Sequence, residues 1–274
     1  MKLIKQSYEI LPQGHTLEEV YKHIERVART CYKSEDKITD NSAHPFVERL
    51  IEARHTAMLE HGTIYLAIPE RVYCEWSKQR LSRYADNNYS RSLFRMVDGE
   101  MTLLVTTNLR VIIENAWQDD LQYITEPTEH ERRVTVKFIT DQGIMREFTR
   151  HRVFSFAVES TRFCNYSKDK FGNEITFIHP CWMSEKYTPE GQVFMRACEE
   201  AESWYFDLLR RGWTPEKARN VLPLATKCEM VMTGFTSDWK GFFSLRAYGS
   251  TGKPHPQAAE LAIPLLNDFI ELAL

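Results

Sequence analysis

Apolar residues recur three and four apart over residues 17–31, at Val20, Ile24, Val27 and Cys31. That period predicts an amphipathic helix. Pro45 is placed to open a second helix, with Phe46, Val47, Leu50 and Ile51 on its buried side. The run TIYLAIP (63–69) predicts a strand, MTLLVTT (101–107) another, and LRVIIENAW (109–117) a helix. Between them RLSRYADNNYSRS (80–92) is polar and predicts a surface loop. Residues 132–140 alternate Val134, Val136 and Phe138 with Arg133, Thr135 and Lys137, the pattern of a half-buried strand. Asp141 is then a helix N-cap, for a helix through Ile144, Phe148 and His151.

The second half predicts mostly helices. Thr188-Pro189-Glu190 and Thr214-Pro215-Glu216 each read as cap, first-turn proline and first-turn acid. The first helix should run to about Arg211 and stop at Gly212, and the second through Arg219 to about Leu222. A third includes Trp239 to Arg246. The last starts near Pro256, with Ala258, Leu261, Leu265, Phe269 and Leu272 on one face and a kink at Pro264. The expected fold is a mixed α/β (α+β) domain, a small, mostly antiparallel sheet packed with helices, as one unit over residues 1–274.

Composition narrows the function. The 274 residues are 43% hydrophobic and carry 35 Lys and Arg against 38 Asp and Glu, a net charge of −3. A general nucleic-acid coat needs a basic excess and is not expected. No apolar run approaches the ~18 residues of a membrane span, and the start turns polar too early for a signal peptide. The six cysteines form no CxxC pair, so reduced thiols, a cytoplasmic location and no metal site are expected.

The densest polar cluster is REFTRHRVFSFAVESTRF, residues 146–163. It sets Arg146, Arg150, Arg152 and Arg162 among Ser155, Ser160, Thr161 and His151, with Phe148, Phe154, Phe156 and Phe163 interleaved. Guanidinium forks suit phosphate oxygens, and the same composition also describes a solvated face. Arg150 and Arg152 lie about 200° apart on an ideal helix, so both reach one ligand only if the helix ends there. Ser160 and Arg162, two apart on extended chain, point the same way.

Arg150-His151-Arg152, seven residues and then Ser160 resembles the RHR-x7-S signature of flavin-dependent thymidylate synthases, and Arg162 continues the match. His55…Glu60-His61 resembles that family's upstream HETPFEH segment. Residues 218–224, ARNVLPL, resemble its AR-x-VLPL, and Leu245-Arg246-Ala247 with His255, Gln257 and Glu260 resembles its LRA…HAQ-x-E. Residues 70–131 have no clear counterpart and read as an insertion.

The resemblance implies reductive methylation of dUMP to dTMP, with methylenetetrahydrofolate as carbon donor and FAD, reduced by NADPH, as hydride carrier. It implies that Arg150, His151 and Arg152 lie with the flavin, and His55 and Glu60 on the flavin and folate side. Ser160, Arg162, Arg219 and Arg246 bind the nucleotide, Arg246 near the pyrimidine. His55 and Arg246 are the residues expected to serve the chemistry, with no enzyme nucleophile. It also implies a homotetramer with sites shared between subunits.

Departures from the pattern accompany the match. Ala157 and Val158 stand where Asn-Glu is common, so the adjacent Glu159 is the carboxylate left to face substrate. Glu147 replaces a frequent Gln, Gly241 an Asn, and Phe163 a Tyr. These leave open a different 5-substituted product, such as 5-hydroxymethyl-dUMP, or a non-catalytic nucleotide-binding protein. Within His179-Pro180-Cys181-Trp182, Cys181 reads as a buried thiol. His55 and His61, six apart, share no helical face for a metal. The run Trp204-Tyr205-Phe206 reads as core, and Asn165-Tyr166-Ser167-Lys168 as either a surface turn or a flap over the nucleotide.

Overall fold

The computed structural model describes residues 1–162, 164–168, 172–183 and 188–274. Phe163 lies outside the described residues. β1 (Lys2–Ile4) and β2 (Ser7–Leu11) precede α1 (Leu17–Tyr32), which opens on a reciprocal capping box between Thr16 and Glu19. α2 (Ala43–Glu52) leads to a 3-10 turn at Thr56–His61, then β3 (Thr63–Pro69) and the short α3 (Glu70–Tyr73) and α4 (Lys78–Ser82). β4 (Arg91–Val97) and β5 (Glu100–Asn108) make a hairpin. Its tip, Asp98-Gly99, has φ of 50° and 83°, a turn whose twist suits paired strands and whose second residue glycine fills without strain. α5 (Leu109–Glu114), β6 (Arg133–Asp141), α6 (Gln142–Phe148), β7 (Ser155–Val158) and β8 (Thr176–Ile178) follow. Last come α7 (Pro189–Arg210), α8 (Pro215–Ala218), a 3-10 turn at Arg219–Val221, β9 (Lys227–Phe235), α9 (Thr236–Arg246) and α10 (Pro256–Glu271).

Three sheets result: β2-β6-β9-β7 and β3-β5-β4, both antiparallel, and the parallel pair β1-β8. The four-stranded sheet is covered on both faces. Val134, Val136, Phe138, Met230 and Met232 pack on Trp239, Phe242, Leu261 and Phe269 of α9 and α10. On the other face Val231 and Ala157 meet Val27 of α1. The opposite side of α1, through Val20 and Ile24, packs on β3 and β5. The α1-facing side of the sheet also buries a polar chain. His23 Nε2 lies 3.2 Å from Thr135 Oγ1, which is 2.8 Å from Thr233 Oγ1, itself 2.7 Å from His61 Nδ1.

The strand at 63–69, the helices at 17–31 and 189–210 and the Asp141 cap stand where the pattern places them. The helix after Asp141 stops at Phe148, three residues short of His151. α10 runs through Pro264, and Leu272, expected on its buried face, is exposed. Residues 80–92 are not simply a surface loop. Tyr84 is fully buried, donates its hydroxyl to Asp120 Oδ2 at 2.6 Å and packs on Trp117, while Arg83 pairs with Asp120. Charged and aromatic residues there close on one another, so their polarity did not mark exposure. β9, at the centre of the sheet, carries no alternation to predict it, because eight of its nine residues are buried. A strand covered on both faces has no polar side.

Candidate functional site

Two adjoining cavities, sharing Arg146 and Leu224, lie where α6, the end of β8, the 219–226 segment and the ends of α9 and α10 meet. The larger, about 550 Å³, is lined by Arg146, Glu147, Arg150, Arg246 and His255 on its polar side. Trp182, Phe194, Ile178 and Leu224 form its apolar wall. The smaller, about 330 Å³, adds Thr161, Arg219 and Asn220.

The sequence builds this corner by anchoring α6. The Asp141 carboxylate accepts from Ile144 N at 2.7 Å, capping the helix, and from Gln257 Nε2 at 2.9 Å, tying it to α10. Gln142 N is shared between the carbonyls of Leu224 and Thr226 at 3.0 and 3.1 Å. The last turn of α6 then presents Arg146 and Glu147, and the chain leaves the helix before Arg150. Arg246 ends α9, where a cation suits the helix dipole.

Arg246 is held on three sides. Its Nη1 donates to Glu147 Oε2 at 2.8 Å, its Nη2 to the Glu147 carbonyl at 3.0 Å, and its Nε to His151 Nε2 at 3.1 Å. His151 packs on Phe242, with ring centroids 5.1 Å apart. Burial, reinforced by the Arg246 charge, lowers its pKa from 6.5 to about 4, so it is neutral and accepts through Nε2. The guanidinium groups of Arg146, Arg150 and Arg152 make no hydrogen bond or ion pair among the described residues, and all three are exposed. Arg219 Nη1 donates to Thr161 Oγ1 at 2.9 Å, and Arg162 Nε meets Glu216 at 3.1 Å. The Ser160-Thr161-Arg162 turn is thus knitted to the 215–219 segment, although Ser160 and Arg162 line neither cavity.

Other expected residues lie apart. Glu159, expected at the substrate, is buried and faces away. Its Oε2 sits 2.8 Å from Lys227 Nζ and accepts from Glu229 N at 3.2 Å. It lines a separate cavity of about 360 Å³ with Lys2 and Lys33. The neighbouring Glu229 is pushed up by burial, but Lys227 and Lys33 outweigh that and hold it far below the usual carboxylate range. Ala157 and Glu159 share one face of extended chain, so the carboxylate follows Ala157 to the α1 side. His55 is exposed at the start of the 56–61 turn. Glu60 pairs with Arg110 at 2.5 Å, and its carbonyl accepts from Arg133 Nη1 at 2.9 Å. Neither His55 nor Glu60 lines the arginine cavities. His61 is fully buried in the polar chain.

Cys181 is exposed rather than buried. Met183 N bonds the Pro180 carbonyl at 3.0 Å, and this turn keeps Pro180 on the cavity and Cys181 outside it. Trp182, from the same motif, lines the cavity, with its ring 5.6 Å from that of His255. Its role was not read from the sequence, where nothing near it repeats. Tyr166 is buried against Tyr205, so residues 165–168 form an anchored turn. Of the run 204–206, Trp204 is exposed and Tyr205 fully buried.

The sequence model of the family described as thymidylate synthase complementing protein matches residues 110–272. Three curated relatives are similar to parts of the chain. The flavin-dependent thymidylate synthase of Haloarcula marismortui is 27% identical over 126 residues, 39% of this chain and 51% of the relative. That of Synechocystis sp. is 27% identical over 135 residues, 46% of this chain and 62% of the relative. The probable flavin-dependent thymidylate synthase of Paramecium bursaria Chlorella virus 1 is 28% identical over 130 residues, 44% and 60%. The matches thus span 51–62% of the length of these relatives. A solved UMP/dUMP methylase, PolB from Streptomyces cacaoi bound with 5-Br dUMP, superposes with a TM-score of 0.48 at 16% identity, covering 99% of this chain and 93% of that one. The chain belongs to the thymidylate synthase complementing protein family. The family match holds Arg150, His151, Arg152, Ser160, Arg162, Arg219 and Arg246, and begins after His55 and Glu60.

Proposed function

We propose that this chain catalyses the reductive methylation of dUMP to dTMP, with methylenetetrahydrofolate as the carbon donor. The observation that carries the reading is the convergence of Arg146, Arg150, Arg219 and Arg246 on two adjoining cavities. These residues come from three sequence segments that each resemble the flavin-dependent enzymes.

The donor set fits a dinucleotide cofactor. The unpartnered forks of Arg150 and Arg152 suit a pyrophosphate, which accepts bidentate hydrogen bonds. A bound FAD, reduced by NADPH, would supply the hydride. The protein's own residues bind and polarise. Arg219, with Ser160 and Arg162 in the turn tied to it, holds the nucleotide phosphate. Arg246 donates to a pyrimidine carbonyl and stabilises the enolate-like charge that builds as C5 gains electron density. Trp182, Phe194 and Leu224 exclude water from one side of the ring. No protein nucleophile is used, and Cys181 does not line the cavity.

The test is the visible spectrum of purified protein after adding FAD, followed by NADPH with and without dUMP, and then the mass of the nucleotide product. Flavin that bleaches faster with dUMP, and a product of dTMP mass, are expected. A product of 5-hydroxymethyl-dUMP mass would change the reaction, and protein that takes up no flavin would refute the reading.

A further inference from the structure

We infer that Glu147 sets the specificity of the cavity by committing Arg246 to an uncharged carbonyl, leaving anionic groups to the other arginines. This rests on the nucleotide reading of the site. The cavity arginines are of two electrostatic kinds. Arg246 has a carboxylate 2.8 Å from Nη1, and both groups are partly buried, at 17% and 31% side-chain exposure. Arg146 and Arg150 have no counter-charge, and Arg219 bonds only the neutral Thr161 hydroxyl.

A guanidinium has five N–H donors. Arg246 spends three on Glu147 Oε2, the Glu147 carbonyl and His151 Nε2. One donor remains on each of Nη1 and Nη2, in a fork whose orientation is fixed from three sides. Its charge is balanced within the cavity wall, so a phosphate gains little there over water. A carbonyl oxygen needs donors and no net charge, and loses nothing by the balance. Glu147 Oε1 accepts no hydrogen bond among the described residues. It can therefore take an N–H beside that carbonyl. Carboxylate and fork together match a ring edge that presents C=O next to N–H, as a uracil does. Glu147 also fixes the guanidinium against His151, whose neutral ring could not hold it by charge.

The experiment is calorimetric titration of the full chain with three probes: inorganic phosphate, deoxyuridine and dUMP. The proteins are wild type, Glu147→Gln and Glu147→Asp, with circular dichroism and melting temperature to verify the fold. Glu147→Gln keeps the size and removes the charge. It should bind inorganic phosphate about tenfold more tightly, since Arg246 becomes an unbalanced cation. It should bind deoxyuridine about tenfold more weakly, as a charged acceptor and a fixed fork are lost. Glu147→Asp keeps the charge and should restore the wild-type order of the two probes. A merely structural role would weaken both probes together and would overturn the inference, as would an unchanged phosphate affinity in Glu147→Gln. Should wild type bind neither dUMP nor deoxyuridine, the proposed function falls, and the phosphate comparison still decides whether Glu147 neutralises Arg246.

Discussion

Single residues here separate binding from folding unusually well. Arg162 meets Glu216 in an ion pair in which both partners are largely exposed, 62% and 43%. Such pairs contribute about 0–1 kcal/mol. Arg162→Ala should therefore unfold at nearly the wild-type denaturant concentration, while dUMP binding weakens by about 1.5–3 kcal/mol, the range for a charged hydrogen bond. Calorimetry and urea titration on the same preparation test both halves, and unchanged dUMP affinity would remove Arg162 from the phosphate site. Arg246→Ala is the stronger case. It deletes three hydrogen bonds, but Glu147, 31% exposed, regains water. Stability should fall by no more than about 2 kcal/mol. Turnover should fall about 100-fold or more, since the removed group faces charge that develops in the transition state. Wild-type turnover in that variant would take Arg246 out of the chemistry.

At the scale of elements, the buried chain from His23 on α1 through Thr135 and Thr233 to His61 joins helix, sheet and the 56–61 turn. Burial lowers the His61 pKa from 6.5 to about 3 and the His23 pKa from 6.5 to about 4, and the Arg133 charge adds to both. The folded state resists protonation, so between those values and 6.5 the unfolded chain binds more protons. The stability these histidines confer is complete above 6.5 and is lost as pH falls through about 4 to about 3. Each contributes a slope of about 1.4 kcal/mol per pH unit in its window. Urea unfolding followed from neutral pH downward should show the loss, and His23→Gln should flatten the slope by one proton. A flat wild-type profile would contradict the buried-neutral assignment. The same elements show what a sequence can tell. β3, with flanking turn residues, and β6, with visible alternation, were legible. β9 was not, because its odd positions, Glu229, Val231 and Thr233, are buried by α1 while Met230 and Met232 are buried by α9 and α10. The arginines of the site were legible through motif spacing. The grip of Glu147 on Arg246 was not, because it closes across 99 residues of chain. Glu159 turned away for a reason one residue long: the strand parity that buries Ala157 carries it to Lys227.

Across the whole molecule, the two halves of the expected chemistry do not share a cavity. Arg150, Arg246 and Arg219 gather at the ends of α6, α9 and the 219–221 turn, whereas His55 is exposed on the far side of a turn packed against α5 and β7. The proposed reaction needs both, and a homotetramer with shared sites reconciles this by letting one copy's 55–60 segment complete another's arginine cavity. The consequence can be measured without knowing the arrangement of subunits. His55→Ala and Arg246→Ala should each be inactive as pure proteins, and His55→Ala should keep its fold because the side chain it removes is exposed. Mixed after mild dissociation, the two variants form oligomers in which some sites join an intact 55–60 segment from one chain to an intact Arg246 from another. Those sites should restore activity, with a maximum at a balanced mixing ratio, and sedimentation should report one species of about four chains throughout. If each site is built within a single chain, every site in the mixture carries one lesion and no ratio recovers turnover. A monomer in sedimentation would lead to the same conclusion by a second route.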